Sequence, residues 1–409
     1  MTDKAAYLIF LLCAAIHSTA TAAAEALLPF YTKSLGASTA LAGLPFVINS
    51  VSRIFTDPVA GAISDRLGAR FFFILALMIG ACFSLLAGAM SQLWLFLFFW
   101  IFVGISESMF TLAIRKIAFE HAPQGKESSA VGKVTTLYGI GNVLGPPIGG
   151  YLGSWWGTRV LFLIYGVPLL FSALLSWRFP LHPADKNALT PGSRSALRAG
   201  LGLLSQPLFL AGCLAMLYMF FSRWGATKVA VPLFLVEQRT FTLADVGTLF
   251  GVAGIADITG RYFGGILGDR WGSKNALQCA LAVSGVAFVL LTFGQGFLSM
   301  TLMISGIGLG HGYLNVTTST LAMEVAGPGR DGLALGLARC FGSMGSVAGP
   351  FLVAMAAASL GYRTAFLLVG GFALALGAGV RLLALRTKHA TPGDVMETGS
   401  SGQPKKDRI

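Results

Sequence analysis

The chain has 409 residues, 55% of them hydrophobic and only 11% charged, and a mean hydropathy of +0.73. A soluble domain carries roughly 25% charged residues to cover its surface, so a soluble enzyme, a disordered tail or a disulfide scaffold cannot describe the whole. The net charge of +12 comes from 29 Lys and Arg against 17 Asp and Glu, and its placement in short loops argues for a lipid bilayer and against a nucleic-acid partner.

Six apolar segments come first, near residues 6–29, 40–63, 71–91, 94–118, 128–153 and 159–178. The first of them, with Lys4, an apolar run from Ala5 to Ile16 and small residues at Thr19–Ala26, has the pattern of a cleavable signal peptide. The internal repeat described next needs it as a helix instead. A polar connector over 179–206 carries Pro180, Pro183, Pro191, Asp185, Lys186, Arg194 and Arg198. Six further apolar segments lie near 207–231, 245–267, 275–296, 299–323, 333–358 and 363–385. From 387 onward the chain is polar and reads as a disordered tail. Long apolar runs without alternation are helices, because lipid offers no partner to an open strand edge.

The two sets of six are copies. Residues 61–70 read G-A-I-S-D-R-L-G-A-R and residues 265–274 read G-I-L-G-D-R-W-G-S-K, an offset of 269 − 65 = 204. The same offset pairs Gly104 with Gly308, Glu120 with Glu324, Gly132 with Gly336 and Arg159 with Arg363. It also pairs Gly141, Gly145 and Pro146 with Gly345, Gly349 and Pro350. The expected fold is all-α and integral to the membrane, with twelve transmembrane helices in two pseudo-symmetric six-helix bundles. Residues 1–178 form the first bundle, 179–206 a cytoplasmic linker, 207–386 the second bundle and 387–409 the tail.

An even number of crossings puts both termini on one side. That side holds Lys4, Arg66, Arg70, Lys126, Arg178, Arg270, Lys274 and Arg330 and the basic residues of linker and tail, whereas the opposite loops hold Lys33, Arg159, Arg239 and Arg363. The excess of positive charge predicts cytoplasmic termini in an inner (plasma) membrane.

Enzyme chemistry is not encoded. Cys13, Cys82, Cys213, Cys279 and Cys340 lie singly in apolar stretches, so neither a disulfide nor a metal is indicated. Gly306, Gly308, Gly310 and Gly312 follow no strand, and no P-loop or nucleophile elbow exists, so no cofactor is expected.

Ionisable residues within apolar helices cost ~2.5–3.5 kcal/mol or more and are functional candidates by default. Arg53 and Asp57 are one turn apart, as are Asp257 and Arg261 at the same repeat positions with signs exchanged (53 + 204 = 257; 57 + 204 = 261). Each pair is expected to neutralise itself on its own helix and to act in structure or gating. Polar stripes at i, i+4, i+8 form a second class: His17, Thr21 and Glu25; Glu107, Thr111 and Arg115; His311, Asn315 and Ser319. Arg223 and Lys228 follow in the seventh segment. Arg223 and Lys228 offer an attractive field to an anionic or zwitterionic solute. Glu25, Glu107, His17 and His311 could carry protons.

The two G-x-x-x-D-R-x-G-x-[RK] loops resemble the signature loop of the major facilitator superfamily, and the resemblance covers the whole chain. The loops comprise Gly61, Asp65, Arg66, Gly68 and Arg70, and Gly265, Asp269, Arg270, Gly272 and Lys274. The resemblance implies two bundles rocking about a central cavity lined by helices 1, 4, 7 and 10, with the loop latching the halves, which makes Asp65 a conformational residue. Gly61 and Gly265 are read as permitting close helix approach, and Gly68 and Gly272 as allowing the tight turn. Gly141, Gly145, Pro146, Gly149 and Gly150 look like the helix-5 motif of the drug:proton antiporter branch; the glycines are expected to face the other bundle, with Pro146 kinking the helix. One departure stands out: that branch carries an Arg four residues before a glycine in helix 4, and Trp100 precedes Gly104 here.

These observations together predict a secondary transporter of a small organic solute, linked to protons, working as a monomer and directed to efflux. Proton-coupled uptake of an organic anion is the first rival, and a transport-inactive receptor or scaffold of the same fold the second.

Overall fold

The computed structural model describes residues 3–122, 127–178, 202–327 and 331–389. Among them twelve long helices follow one another: α1 (Asp3–Ser34), α2 (Leu44–Leu67), α3 (Ala69–Ala89), α4 (Leu93–Glu120), α5 (Glu127–Trp156) and α6 (Val160–Arg178), then α7 (Pro207–Arg239), α8 (Leu243–Trp271), α9 (Ser273–Leu291), α10 (Gly296–Ala326), α11 (Asp331–Leu360) and α12 (Tyr362–His389). Ten of these are long and apolar enough to cross a membrane. The other two are α2, diluted by Arg53, Asp57, Asp65 and Arg66, and α5, diluted by glycine. Both are the helices through which the halves meet.

Local chemistry sets the boundaries. Pro207 opens α7 where its missing N–H costs nothing. Thr242 and Asp245 cap α8 reciprocally, the Thr242 N–H donating to Asp245 at 2.9 Å and the Asp245 N–H to Thr242 at 3.2 Å. Gly68 (φ +80°) and Gly272 (φ +78°) turn the chain between α2 and α3 and between α8 and α9. Both sit in the left-handed region that glycine alone enters freely, so the turn read from the sequence exists in both copies.

The repeat is visible as packing. In the first half α1 lies on α5 and α6, α2 on α4, and α3 on α4 and α6. In the second, α7 lies on α11, α8 on α10, and α9 on α10 and α12. Between the halves α5 packs on α8 and α2 on α11.

Three expectations on element extent need correction. The seventh helix does not end near residue 231 but runs to Arg239, its middle, Ser222–Ala230, wound as a π-helix. The wider winding carries polar residues that a uniform α-helical reading would place on other faces. The last helix reaches His389, so the chain is not irregular from 387 onward. Of the linker, residues 202–204 form a helical turn, while 179–201, like the tail from 390, lies outside the described residues.

Candidate functional site

A narrow cleft lies among the facing helices, lined by Thr21, Glu25, Phe46, Asn49, Trp100, Glu107 and Tyr165 with two aliphatic neighbours, Leu28 and Val103. Its chemistry centres on Glu107, whose side chain is 10% exposed. One carboxylate oxygen accepts hydrogen bonds from the Thr21 hydroxyl at 3.0 Å and the Tyr165 hydroxyl at 2.9 Å. The His17 Nε2 stands 3.5 Å from the same oxygen, and its ring stacks on Phe110 at 3.6 Å. Among the described residues, no Lys or Arg pairs with Glu107. A buried carboxylate held by neutral donors and one imidazole can change its proton count without leaving a cation stranded.

The other expected cavity charges are spoken for. Lys228 donates to Glu25 at 2.7 Å across the two bundles. Arg223 pairs with Asp257, which also receives two bonds from Arg261, at 2.7 and 3.1 Å. The pair Asp257–Arg261 therefore closes on its helix as expected, but it shares its carboxylate with Arg223. Lys228 is thus neutralised by Glu25, whereas Arg223 and Arg261 share the single carboxylate of Asp257 and leave that cluster one positive charge in excess, to which the expected attractive field is reduced. The pair Arg53–Asp57 does not close: Asp57 accepts from the Ser108 hydroxyl of α4 instead. His311, at the repeat position of Glu107 (107 + 204 = 311), is buried and bonds Ser222 at 2.9 Å. Asn315 is half-buried one turn on, and Arg115 is exposed.

The bundles touch from the end opposite the termini down to mid-membrane. Lys33 at the end of α1 pairs with Glu237 at the end of α7, and Glu237 also accepts from the Tyr362 hydroxyl at 2.7 Å. A Cβ on Gly43 would stand 2.5 Å from the Pro350 carbonyl oxygen, one on Gly150 2.4 Å from that of Leu243, and one on Gly247 2.4 Å from that of Pro146. Toward the terminal end, Gly132, Gly265, Gly268 and Gly336 would meet nothing within 4 Å. The molecule is closed at the far end and splayed at the end bearing its termini.

The family model described as Major Facilitator Superfamily matches residues 10–256 and again 219–406, two overlapping matches that together span both copies of the repeat. The chain belongs to the Major Facilitator Superfamily. Among its relatives is the multidrug resistance protein MdtG of Citrobacter koseri, 26% identical over 85% of this chain and 87% of that one. Another is a multi-drug resistance efflux pump PmrA homolog of Lactococcus lactis, 23% identical over 83% and 84%. Solved structures share the fold: a bacterial homolog to the human lysosomal transporter Spinster, inward-facing and unoccupied (TM-score 0.78, 14% identity, 96% and 99% covered), and the nucleoside transporter NupG (TM-score 0.76, 12%, 93% and 99%). The chain is thus a multi-pass membrane transporter.

Within that family frame the helix-5 motif needs a correction. Gly141, Gly145 and Gly149 face α1 of their own bundle, where added Cβ atoms would stand 2.4 Å from the Ser18 hydroxyl, 2.6 Å from the Ala22 Cβ and 2.2 Å from the Ala23 carbonyl oxygen. Gly150 faces α8, where Gly247 and Gly251 receive Pro146 and Pro147. Spacing explains the split: 141, 145 and 149 are one i+4 row, and 146 and 150 the next. The close approach assigned to Gly265 is absent, because the halves stand apart at that end. The loop cations Arg66, Arg270 and Asp269 beside them are exposed, while Arg70 donates to the Trp177 carbonyl at 3.0 Å. Lys274 is half-buried, and the side chains of Gly61 and Asp65 lie outside the described residues.

Sequence reasoning missed Tyr165, Asn49 and the Lys33–Glu237–Tyr362 cluster. A signal for the last existed: 237 − 33 = 204, the repeat offset, so an opposite pair at equivalent positions was there to be found.

Proposed function

We propose that this chain is a proton-linked exporter of small organic solutes in the inner (plasma) membrane, with cytoplasmic termini and a monomeric working unit. The observation that carries the reading is Glu107, a cavity carboxylate bonded to Thr21 and Tyr165 and next to His17, with no Lys or Arg among the described residues in ion-pair contact. A proton on Glu107 removes a buried charge that otherwise favours the open, hydrated cavity, so the protonated form can rock back without cargo. When the far end opens, Glu107 takes a proton from outside. When the terminal end opens, it gives the proton to the cytoplasm and cargo loads. Rocking of the bundles against each other then exchanges one for the other.

The efflux relatives named above support the direction, and the positive loops at the terminal end support the orientation. The rival reading as an anion uptake porter rested on Arg223 and Lys228 and on the helix-4 Arg replaced by Trp100; of these, Arg223 is held by Asp257 and Lys228 by Glu25. Everted vesicles energised by a proton gradient test the proposal: they should accumulate substrate, and E107Q should abolish the dependence on the gradient. Accumulation only in intact cells would overturn export. An unchanged pH profile in E107Q would remove Glu107 as the proton carrier.

A further inference from the structure

Three arginines toward the open end of the molecule have, among the described residues, no carboxylate in ion-pair contact: Arg53 of α2, Arg115 of α4 and Arg339 of α11. They come from both bundles. The Ser50 hydroxyl of α2 donates to the Ser346 carbonyl of α11 at 3.2 Å, fixing those two helices side by side. At 1.5 Å per residue, Arg53 lies about 4.5 Å and Arg339 about 10 Å below that contact, toward the terminal end. Asp57, held by Ser108, fixes α2 against α4, and Arg115 lies about 10 Å below Ser108 on the same side. Arg53 is one turn from Ser50 on α2, Arg339 two turns from Ser346 on α11 and Arg115 two turns from Ser108 on α4, so each lies on the face of its helix that makes the contact. Arg115 further shares one helical face with Glu107, whose carboxylate lines the cleft.

Like charges brought together at the edge of a membrane cavity repel, and among the described residues the three arginines outnumber the carboxylate beside them, Asp57, whose charge the bond from Ser108 leaves in place. An anion seated among them relieves that repulsion. Above it the cleft offers aromatic surface, Trp100 and Phe46, with the Trp100 indole N–H buried and without a partner. Arg115 and Glu107 are eight residues apart, about 12 Å along the helix.

We infer that Arg53, Arg115 and Arg339 form a loading site for the anionic group of an amphiphilic solute, a carboxylate, sulfate or phosphate ester. Its apolar body extends from there toward Phe46, seven residues or about 10 Å above Arg53 on α2. The site deepens the proposed export function and rests on it for the cargo's passage, whereas binding itself can be tested without transport.

The experiment measures equilibrium binding of octyl phosphate to the full chain in phosphatidylcholine nanodiscs. R115Q and R339Q should each weaken binding about tenfold, the loss expected of one charge-assisted contact. R115K and R339K should retain most of the affinity, which separates charge from folding. R363Q, at the far end over Phe293, should bind as the parent does. Equal affinity in the parent, R115Q and R339Q overturns the site, and so does tighter binding of octyltrimethylammonium than of octyl phosphate. Displacement by added phosphatidylglycerol identifies a lipid headgroup as the occupant, and its absence a soluble amphiphile; both uphold the anion site. Arginine-dependent binding without proton-driven accumulation in everted vesicles would overturn the export reading while leaving the site in place.

Discussion

Reversing the charge of Lys33 should move the protein toward its other conformation without unfolding it. Lys33 and Glu237 bond across the far end with side chains 31% and 33% exposed. Exposure of that order limits such a pair to about 0.2–1 kcal/mol. Two neighbours add to it: Lys33 also donates to the Thr39 hydroxyl at 3.1 Å, and Glu237 accepts from Tyr362. K33E replaces attraction by repulsion and loses the Thr39 bond, a change of about 1–2 kcal/mol, or a factor of roughly 5–30 between the two states. None of these contacts lies inside one bundle's core, so the melting temperature should hardly move. Electron–electron distance measurements between spin labels on the far-end loops, around residues 35–43 and 240–242, would read the shift directly. E237K should act like K33E, and the double swap should return the distribution to that of the parent. Equal distributions in parent and single variants, or a double swap no better than either single, would refute the reasoning.

Other outcomes follow from the same geometry. D257N strips the shared carboxylate from Arg223 and Arg261 and should cost about 3 kcal/mol, the low end for a buried network because both arginines are about a quarter exposed; thermal unfolding in detergent measures it, and D257E should recover part. G149A places a Cβ 2.2 Å from the backbone oxygen of Ala23, which no rotamer can relieve, and should destabilise by about 1–3 kcal/mol; the same assay checks it. G265A meets nothing within 4 Å, so its stability should be that of the parent while turnover falls if the terminal end must close on α8; normal turnover would show that it does not. Y165F should leave folding intact, remove one of the two hydroxyl donors to Glu107, and shift the pH midpoint of proton-driven transport relative to the parent.

The fold was largely legible because lipid leaves few options. Twelve apolar runs, one composition break and an offset of 204 required two six-helix bundles. The boundaries failed where the winding changed: nothing in S-R-W-G-A-T-K-V-A announces a π-helix, whose cause lies in the partner helix. Gly225 there abuts the Gly349 backbone, with a Cβ 2.3 Å from its oxygen. Charges in the membrane could be counted from the sequence but not paired. Arg53 and Asp57 have ideal helical spacing, yet Ser108 from another helix wins the carboxylate. Arg223, read as a ligand for cargo, is captured by an aspartate 34 residues away. Glu107 was singled out correctly as a buried carboxylate in the facing stripe, but its partner Tyr165 lies on a helix with no polar stripe to draw notice.

The Lys33–Glu237 contact joins residues at equivalent positions of the two repeats. Equivalent positions that touch lie on the pseudo-two-fold axis. In a symmetric dimer of identical six-helix units, a residue on the axis meets its own copy, so lysine would face lysine or glutamate would face glutamate. An attractive pair there is open only to a chain whose halves are free to differ. That bond could not exist in a dimer of identical units. It marks the far-end closure of this protein as a property of the fused chain and not an inheritance from either half.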